Sequence, residues 1–582
     1  MDKKYIRASI FAPIAMVFEV FLQTLIPVLM ARIIDVGIVN SDISYTVRVG
    51  IQMVVIALVS MLVGALSARW SSVGALGFAK NIRQRMFNNV QDFSFKNTNK
   101  FGTASLVTRL TTDVTNTQNM YLMTLRVAVR APVMLIMAVS MCFYINKNLS
   151  TVFLFIIPIL VLVIAVIAKK AFPLFEKMLK QYDALNGIVR ENLTAIRTIK
   201  AFVREDYENE KFHKAADEVR KAQFNAENLI IKAFPIATFL LYATIIVIQL
   251  RGGIMIINGT LLTGELISLI TYAGQVLFAI LMLAMIFVTF VISQASIKRI
   301  VAVLDEKPSI ITLASKTNDI YTVHSGTVEF KNVFFSYTED TNNCVLKDIN
   351  LKIKKGQTVG IIGGTGSSKT TLVQLIPRLY DVISGTVFID GIDVRYYELE
   401  ELRKNVSMVL QNNVLFSGTI AENLKWGNED ASDEDLIEAC TVADAHSFIT
   451  GFSDGYQTML GQGGVNVSGG QKQRLCIARA LLAKPKVLIF DDSTSAVDTA
   501  TDSRIRAGLK KSLPDTTKII IAQRINSVQD ADQIFVIDDG QIVDVGTHDE
   551  LVYTSTIYGE VYEQQCAGMD STPCISQTKE VN

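Results

Sequence analysis

The chain has 582 residues and a mass of 64.3 kDa; half its residues are hydrophobic, 19% are charged, and the mean hydropathy is +0.34. That length exceeds one core at roughly 150 residues per domain, and so much apolar surface excludes a wholly water-exposed protein, so part of the chain faces lipid. A net charge of +1 leaves no basic field for nucleic acid, and six scattered cysteines without a CxxC pair read as reduced thiols rather than as disulfides or metal ligands.

In chain order, residues 1–306 read as a membrane domain. Apolar runs near 9–38, 47–70, 122–145, 151–170, 230–257 and 265–292 are each long enough, at about 20 residues, to cross a bilayer as a helix. The third is short unless the helix extends back through Leu122–Val129. The first follows Lys3-Lys4 but outruns a signal-peptide core and lacks a small-residue cleavage site, so it reads as a span. The links Asn40-Ser41-Asp42, Asn146-Lys147-Asn148 and Asn258-Gly259-Thr260 are short and nearly free of basic residues. The links after the second and fourth spans are long and carry Lys80, Arg83, Arg85, Lys169, Lys170, Arg197, Lys200 and Arg204. The positive-inside rule therefore puts the long links and both termini in the cytoplasm. Those links keep helical periodicity with little Pro or Gly, so the spans are expected to run on as long cytoplasmic extensions. Within the first span, Glu19 is costly in lipid and should face a cavity or another helix. Met and aromatic residues around Phe278–Phe290 fit either a drug cavity or ordinary packing.

Near residue 305 the character changes. Residues 307–325, opening Lys307-Pro308-Ser309, read as a linker; residues 326–562 alternate β-rich runs with helical stretches, as in an α/β domain around a mainly parallel sheet; residues 563–582 read as a polar, disordered tail. The strand Val359–Ile362 leads into Gly363-Gly364-Thr365-Gly366-Ser367-Ser368-Lys369-Thr370 and then a helix, which is the setting of a phosphate-binding loop. Backbone N–H groups would face the phosphates, Lys369 would reach the outer ones, and Thr370 would ligate Mg²⁺. Ser368 stands where that pattern has its second glycine. The strand Val487–Phe490 ends in Asp491, placed to hold Mg²⁺, and Asp492, placed as general base.

Val467-Ser468-Gly469-Gly470-Gln471 then completes the set. Here the chain resembles the ABC transporters, along its whole length, and in particular the half-transporters of heterodimeric multidrug exporters (type IV fold). The resemblance implies a six-helix transmembrane domain fused to an α/β P-loop nucleotide-binding domain. ATP with Mg²⁺ would be held by the phosphate loop through Thr371, by Tyr337 stacking on adenine, and by Gln411 of the Q-loop, which with Thr370 and Asp491 serves the metal. The signature, Val467 to Gln471, would close over a partner chain's ATP. Ser495 and Asp498 match the D-loop. Thr108, Arg109 and Asp113 match a first coupling segment, and Arg197 and Lys200 lie in a second. Asp492 departs from the family's catalytic glutamate, Gln523 from its switch histidine, and Gln462 from a glutamate before the signature. Glutamine cannot carry charge near a γ-phosphate, and a carboxylate ~1.5 Å short of the water is costly when ~1 Å can lose about 10²-fold. The resemblance thus implies a degenerate ATP site beside an intact signature. It also implies a second half-transporter as partner, a bacterial cytoplasmic membrane, and a hydrophobic or amphipathic substrate. A homodimeric exporter or an ATP-gated channel of the same fold are the alternatives; a soluble nucleic-acid ATPase is excluded by the spans.

Overall fold

The structure, a computed structural model, describes residues 2–313, 321–338, 340, 343–493 and 497–567. It forms two compact units: Met1–Gln91 with Thr103–Glu306, and Asp92–Gly102 with Lys307 onward.

The chain runs through α1 (Lys3–Arg32), α2 (Ile43–Asp92), α3 (Phe95–Phe101), α4 (Thr103–Thr108), α5 (Val114–Ile145), α6 (Lys147–Thr194), α7 (Ile196–Ala201), α8 (Glu205–Ile231), α9 (Ala233–Ile257) and α10 (Thr263–Leu304). Among the described residues, six segments are long and apolar enough to cross a membrane, from Lys3–Ile38 to Thr263–Phe287. Only a helix satisfies every backbone group within its own segment in hydrocarbon, which is why these apolar runs are helical. At 50 and 48 residues, α2 and α6 far outrun a bilayer; at 1.5 Å per residue each reaches about 70–75 Å against ~30 Å of hydrocarbon. The fifth expected span, 230–257, begins at a break: Lys232 separates α8 from α9. Near Pro27 of α1, the hydroxyl of Ser268 donates to the Pro27 carbonyl at 2.6 Å and that of Tyr272 to the Thr24 carbonyl at 2.5 Å, both from α10.

Two charged clusters lie inside this unit. Glu19 of α1 is 7% exposed and accepts from Arg130 Nη1 of α5 at 2.8 Å and from Gln23 Nε2 at 3.0 Å, while Arg130 Nη2 donates to Gln23 Oε1 at 2.9 Å. A Cβ on Gly64 of α2 would lie 2.9 Å from the Glu19 carboxyl carbon, so the glycine gives the carboxylate its room. Of the two roles expected for Glu19, the bond between helices is present. The second cluster lies in the segment expected as the first coupling segment. Thr108, Arg109 and Asp113 belong to the helical unit. Asp113, 1% exposed, accepts from Arg299 Nε at 2.7 Å and Ser296 Oγ at 2.8 Å, both on α10. Arg109 Nη1 donates to the Arg299 carbonyl at 3.0 Å, and Thr108 bonds its own helix at Ala104. These side chains knit helices together. The stretch that groups with the second unit is Asp92–Gly102, which precedes that segment in the chain. There Ser94 caps α3 through Asn97; Asn97 donates to the Lys307 carbonyl at 3.0 Å and Asn99 to the Tyr380 hydroxyl at 3.3 Å; and the Phe95 ring lies 6.1 Å from that of Tyr380. Arg197 and Lys200 sit on α7, which has no buried residue.

In the second unit the strands are β1 (Val328–Phe335), β2 (Leu346–Ile353), β3 (Thr358–Ile362), β4 (Ser384–Ile389), β5 (Ile392–Asp393), β6 (Val406–Val409), β7 (Gly418–Thr419), β8 (Met459–Leu460), β9 (Val487–Asp491), β10 (Thr517–Ile521), β11 (Gln533–Asp538) and β12 (Gln541–Gly546). Its helices are α11 (Lys369–Gln374), α12 (Leu399–Asn405), α13 (Ile420–Lys425), α14 (Asp433–Val442), α15 (His446–Thr450), α16 (Gly469–Leu482), α17 (Thr499–Ser512), α18 (His548–Thr554) and α19 (Thr556–Ala567). The main sheet has the order β12-β11-β3-β10-β9-β6, parallel except for β12; an antiparallel sheet has the order β2-β1-β4-β5. Strands β9 and β10 are buried throughout, as expected of parallel strands covered on both faces. At the end of the linker Ser325 bonds the Asp390 carboxylate, as does Thr327 just after it, and residues 314–320 lie outside the described residues. Of the stretch expected as a polar tail, residues 563–567 lie in α19, which carries the buried Tyr558 and packs Val561 and Tyr562 on the same core; residues 568–582 lie outside the described residues.

Candidate nucleotide site

Parallel pairing of β10 with β3 and β9 brings three strand ends together, with Ile521 opposite both Ile361 and Asp491. The phosphate loop, Gln523, and the Asp491–Asp492 pair therefore leave the sheet side by side at its carboxyl edge, where open α/β sheets bind ligands.

The loop closes from Gly363 to Ser368 before α11. A Cβ at Gly363 would meet the Ile537 carbonyl oxygen at 2.1 Å, so only glycine fits there. Ser368 takes φ +75°, ψ +21°. This left-handed conformation is what the missing glycine would supply freely and serine adopts at a cost. Ser368→Gly is expected to stabilise the protein by about 0.5–1 kcal/mol, less the entropy glycine adds to the unfolded chain. Thermal unfolding of the purified protein measures it, and a fall in Tm of several degrees would contradict the strain. Lys369 Nζ folds over the loop, donating to the carbonyls of Gly363 at 2.8 Å and Gly364 at 2.7 Å. Burial lowers its pKa, partly offset by Asp492 and Asp491. Gly364, Thr365 and Gly366 are exposed, and Ser367 is buried beneath them.

Thr370 Oγ1 donates to Asp491 Oδ1 at 2.7 Å. Asp491 is 1% exposed, and burial raises its pKa against that hydrogen bond. Two hard oxygen donors in contact suit Mg²⁺. Asp492 is 8% exposed and likewise raised by burial. Its Oδ2 accepts from Gln523 Nε2 at 2.7 Å and Gln411 Nε2 at 3.3 Å. The residues that replace the family's glutamate and histidine thus bond each other, and Gln411 joins Asp492 rather than the Thr370–Asp491 pair. The Tyr337 hydroxyl is 2.9 Å from Thr371 Oγ1, and its ring stands edge-on to Tyr380 with centroids 5.2 Å apart.

The signature lies on another core. Leu475 and Ile477 of α16 pack with α13 and α14, whereas Leu372 and Val373 of α11 pack under the antiparallel sheet. Ser468 caps α16: its Oγ accepts from Gln471 N, and Gln471 Oε1 accepts from Ser468 N at 2.9 Å. Val467 is half-buried, while Gly469 at the helix start is exposed, with nothing within 4 Å of a Cβ built there. Gly470 is the residue after it, and its carbonyl accepts from Arg474 Nε. Asp498 caps α17 through Thr501 N at 2.9 Å. Ser495 lies outside the described residues.

Sequence reasoning did not reach Arg130, Phe95–Asn99 or Gln565. Ser94-Phe95-Lys96-Asn97 carried a capping signal, whereas Gln565, which bonds the backbone on either side of Arg524, lies in the stretch read as tail.

Known proteins agree with this architecture. Residues 9–298 match the ABC transporter transmembrane region and residues 346–495 the ABC transporter family. The chain is 36% identical over 572 residues to an uncharacterized ABC transporter ATP-binding protein, YfiB, of Bacillus subtilis, covering 98% of this chain and 99% of that one. It is 32% identical over 504 residues to a putative multidrug export ATP-binding/permease protein, YgaD, of the same organism, covering 86% and 85%. A fatty acid ABC transporter ATP-binding/permease protein of Mycobacterium bovis is 33% identical over 453 residues, covering 78% and 71%. In fold it is similar to a bacterial Atm1-family ABC exporter with ATP bound, at a TM-score of 0.83, 24% identity, and coverage of 96% and 99%. With six apolar helices, a phosphate loop, a paired Asp491–Asp492 strand end and a capped signature helix in one polypeptide, the chain belongs to the ABC transporter family.

Proposed function

We propose that this chain is one half of a heterodimeric ATP-driven exporter of hydrophobic or amphipathic compounds. Its own site would hold Mg·ATP and hydrolyse it poorly, while its signature serves the partner's site. The observation that carries this reading is the Asp492 carboxylate held by Gln523 and Gln411. A base whose oxygen is already engaged by two amides, on a side chain one methylene short, is badly placed to take a proton from water. The relatives named for multidrug and fatty acid transport support an apolar or amphipathic cargo. Thr370 and Asp491 would hold Mg²⁺, which supplies charge neutralisation at the β- and γ-phosphates. Lys369 would leave the loop carbonyls for the phosphates, and Tyr337 would stack on the base. The separate cores under loop and signature fit a site completed by a second chain. Residues 92–102, rather than 108–113, are the better candidate for the coupling segment.

The test is restoration. Asp492→Glu with Gln523→His should raise ATP hydrolysis at this chain's site by at least about tenfold, since a mispositioned base costs up to 10²-fold. An unchanged rate, with ATP still bound, would overturn the degenerate-site reading. Mass spectrometry of the transporter purified on a tag on this chain should find a second, different ABC half; a homodimer alone would overturn the pairing.

Orientation in the bacterial cytoplasmic membrane follows from the basic long links. Single cysteines at Ser41, Asn148 and Gly259, in a chain lacking the native cysteines, should react with an impermeant thiol reagent on intact cells. One at Ser105 should not, and the reverse pattern would invert the topology.

A further inference from the structure

The C-terminal helix α19 is docked by Tyr558, which is fully buried, and ends beside the strand end that carries Gln523. From it Gln565 makes two bonds to the backbone around that residue: its Nε2 donates to the Gln523 carbonyl at 2.8 Å, and its Oε1 accepts from the Ile525 N–H at 2.9 Å. A carbonyl needs a donor and an N–H needs an acceptor, so one amide orientation alone serves both. On the other side, Ala522 N bonds the Ile361 carbonyl at 3.3 Å and continues the sheet. Gln523 is thereby fixed before and after itself, and its side chain reaches Asp492 at 2.7 Å. Downstream, Ile525 begins a 3-10 turn and is fully buried.

The geometry points to Gln565 as a positioning residue of the nucleotide site: through its amide, α19 aims Gln523 at Asp492. The inference rests on the nucleotide reading above and extends that site to the chain's last described helix. Gln565 touches neither phosphate-loop residue nor carboxylate; it acts through the backbone of residues 523–525. Loosening that backbone lets the Gln523 amide leave Asp492 and loosens the wall facing the terminal phosphate.

The experiment uses the full chain in the purified transporter, with two readouts. Without nucleotide, Gln565→Ala should speed amide hydrogen exchange in residues 522–527 by about three- to tenfold, the effect of losing a hydrogen bond of ordinary strength, with residues 358–372 unchanged. With a photo-crosslinkable ATP read on this chain after separation from its partner, the same variant should release nucleotide faster by a similar factor. Gln565→Glu keeps an oxygen for Ile525 but sets its other oxygen against the Gln523 carbonyl, two acceptors that repel, and should be at least as fast as alanine in both readouts. Unchanged exchange at 522–527 overturns the clamp. Faster exchange throughout 556–565 overturns it too, because α19 has then simply undocked. Faster exchange at 522–527 with unaltered ATP release overturns the positioning role. Failure of the nucleotide reading itself looks different: the unmutated chain takes no ATP label above its Lys369→Ala variant.

Discussion

Gly469→Asp in this chain is expected to lower ATP turnover of the assembled transporter by about 10²-fold or more, the scale of losing an oriented charge-stabilising donor. Asp492→Asn should change the same turnover by less than about twofold, because under the degenerate-site reading little hydrolysis passes through this chain's own site. The signature variant is chosen so that folding does not confuse the result. Nothing lies within 4 Å of a Cβ at Gly469, which sits exposed at the first position of α16. A carboxylate at a helix N-terminus suits the helix dipole, so α16 should gain stability if anything. The same carboxylate occupies the place a γ-phosphate of the partner's ATP would take, and like charge excludes it. Steady-state phosphate release from both variants decides the matter. A large loss with Asp492→Asn and a small one with Gly469→Asp would reverse the roles of the two sites.

Arg130→Ala should destabilise the helical unit by about 3–5 kcal/mol, a large share of an ordinary marginal stability. Glu19, 7% exposed, would keep only Gln23 as partner to its charge. The double variant Glu19→Leu with Arg130→Met should recover most of that loss, since replacing a buried ion pair by apolar groups of similar size is often close to neutral. Gly64 limits the shape of the replacement, because its missing Cβ leaves room for a planar carboxylate and less for a branched side chain. Thermal unfolding of the detergent-solubilised chain measures all three proteins. Equal stability of wild type and Arg130→Ala would mean that the Glu19–Arg130 pair does not hold the unit together; a double variant worse than the single would mean that the pair fixes the α1–α5 register rather than merely neutralising a charge.

The nucleotide site was legible in the sequence because each of its parts is local. A phosphate loop needs glycines, a lysine and a threonine within eight residues of one strand end, and a signature needs a capped helix start; both are contiguous and read without a fold. The six spans were legible for the same reason, since a bilayer imposes length and hydropathy on a continuous run. The substitutions Asp492 and Gln523 could be seen, but that they bond each other depends on β9 and β10 being parallel neighbours in register, which sets two distant residues 2.7 Å apart. The expected coupling segment shows what a resemblance does not carry: Ser105–Val114 was picked out by its likeness to a family motif, and only the fold shows that α10 supplies Arg299 and Ser296 to Asp113, while Ser94–Phe101 groups with the other unit. Arg130 drew no reading from the sequence, and its part emerges only because α1 places Glu19 against it. A sequence states which side chains carry charge or can donate a hydrogen bond. Which of them are left to do chemistry depends on the partners brought by segments distant in the chain, and only the packing of helices and the order of strands decides that.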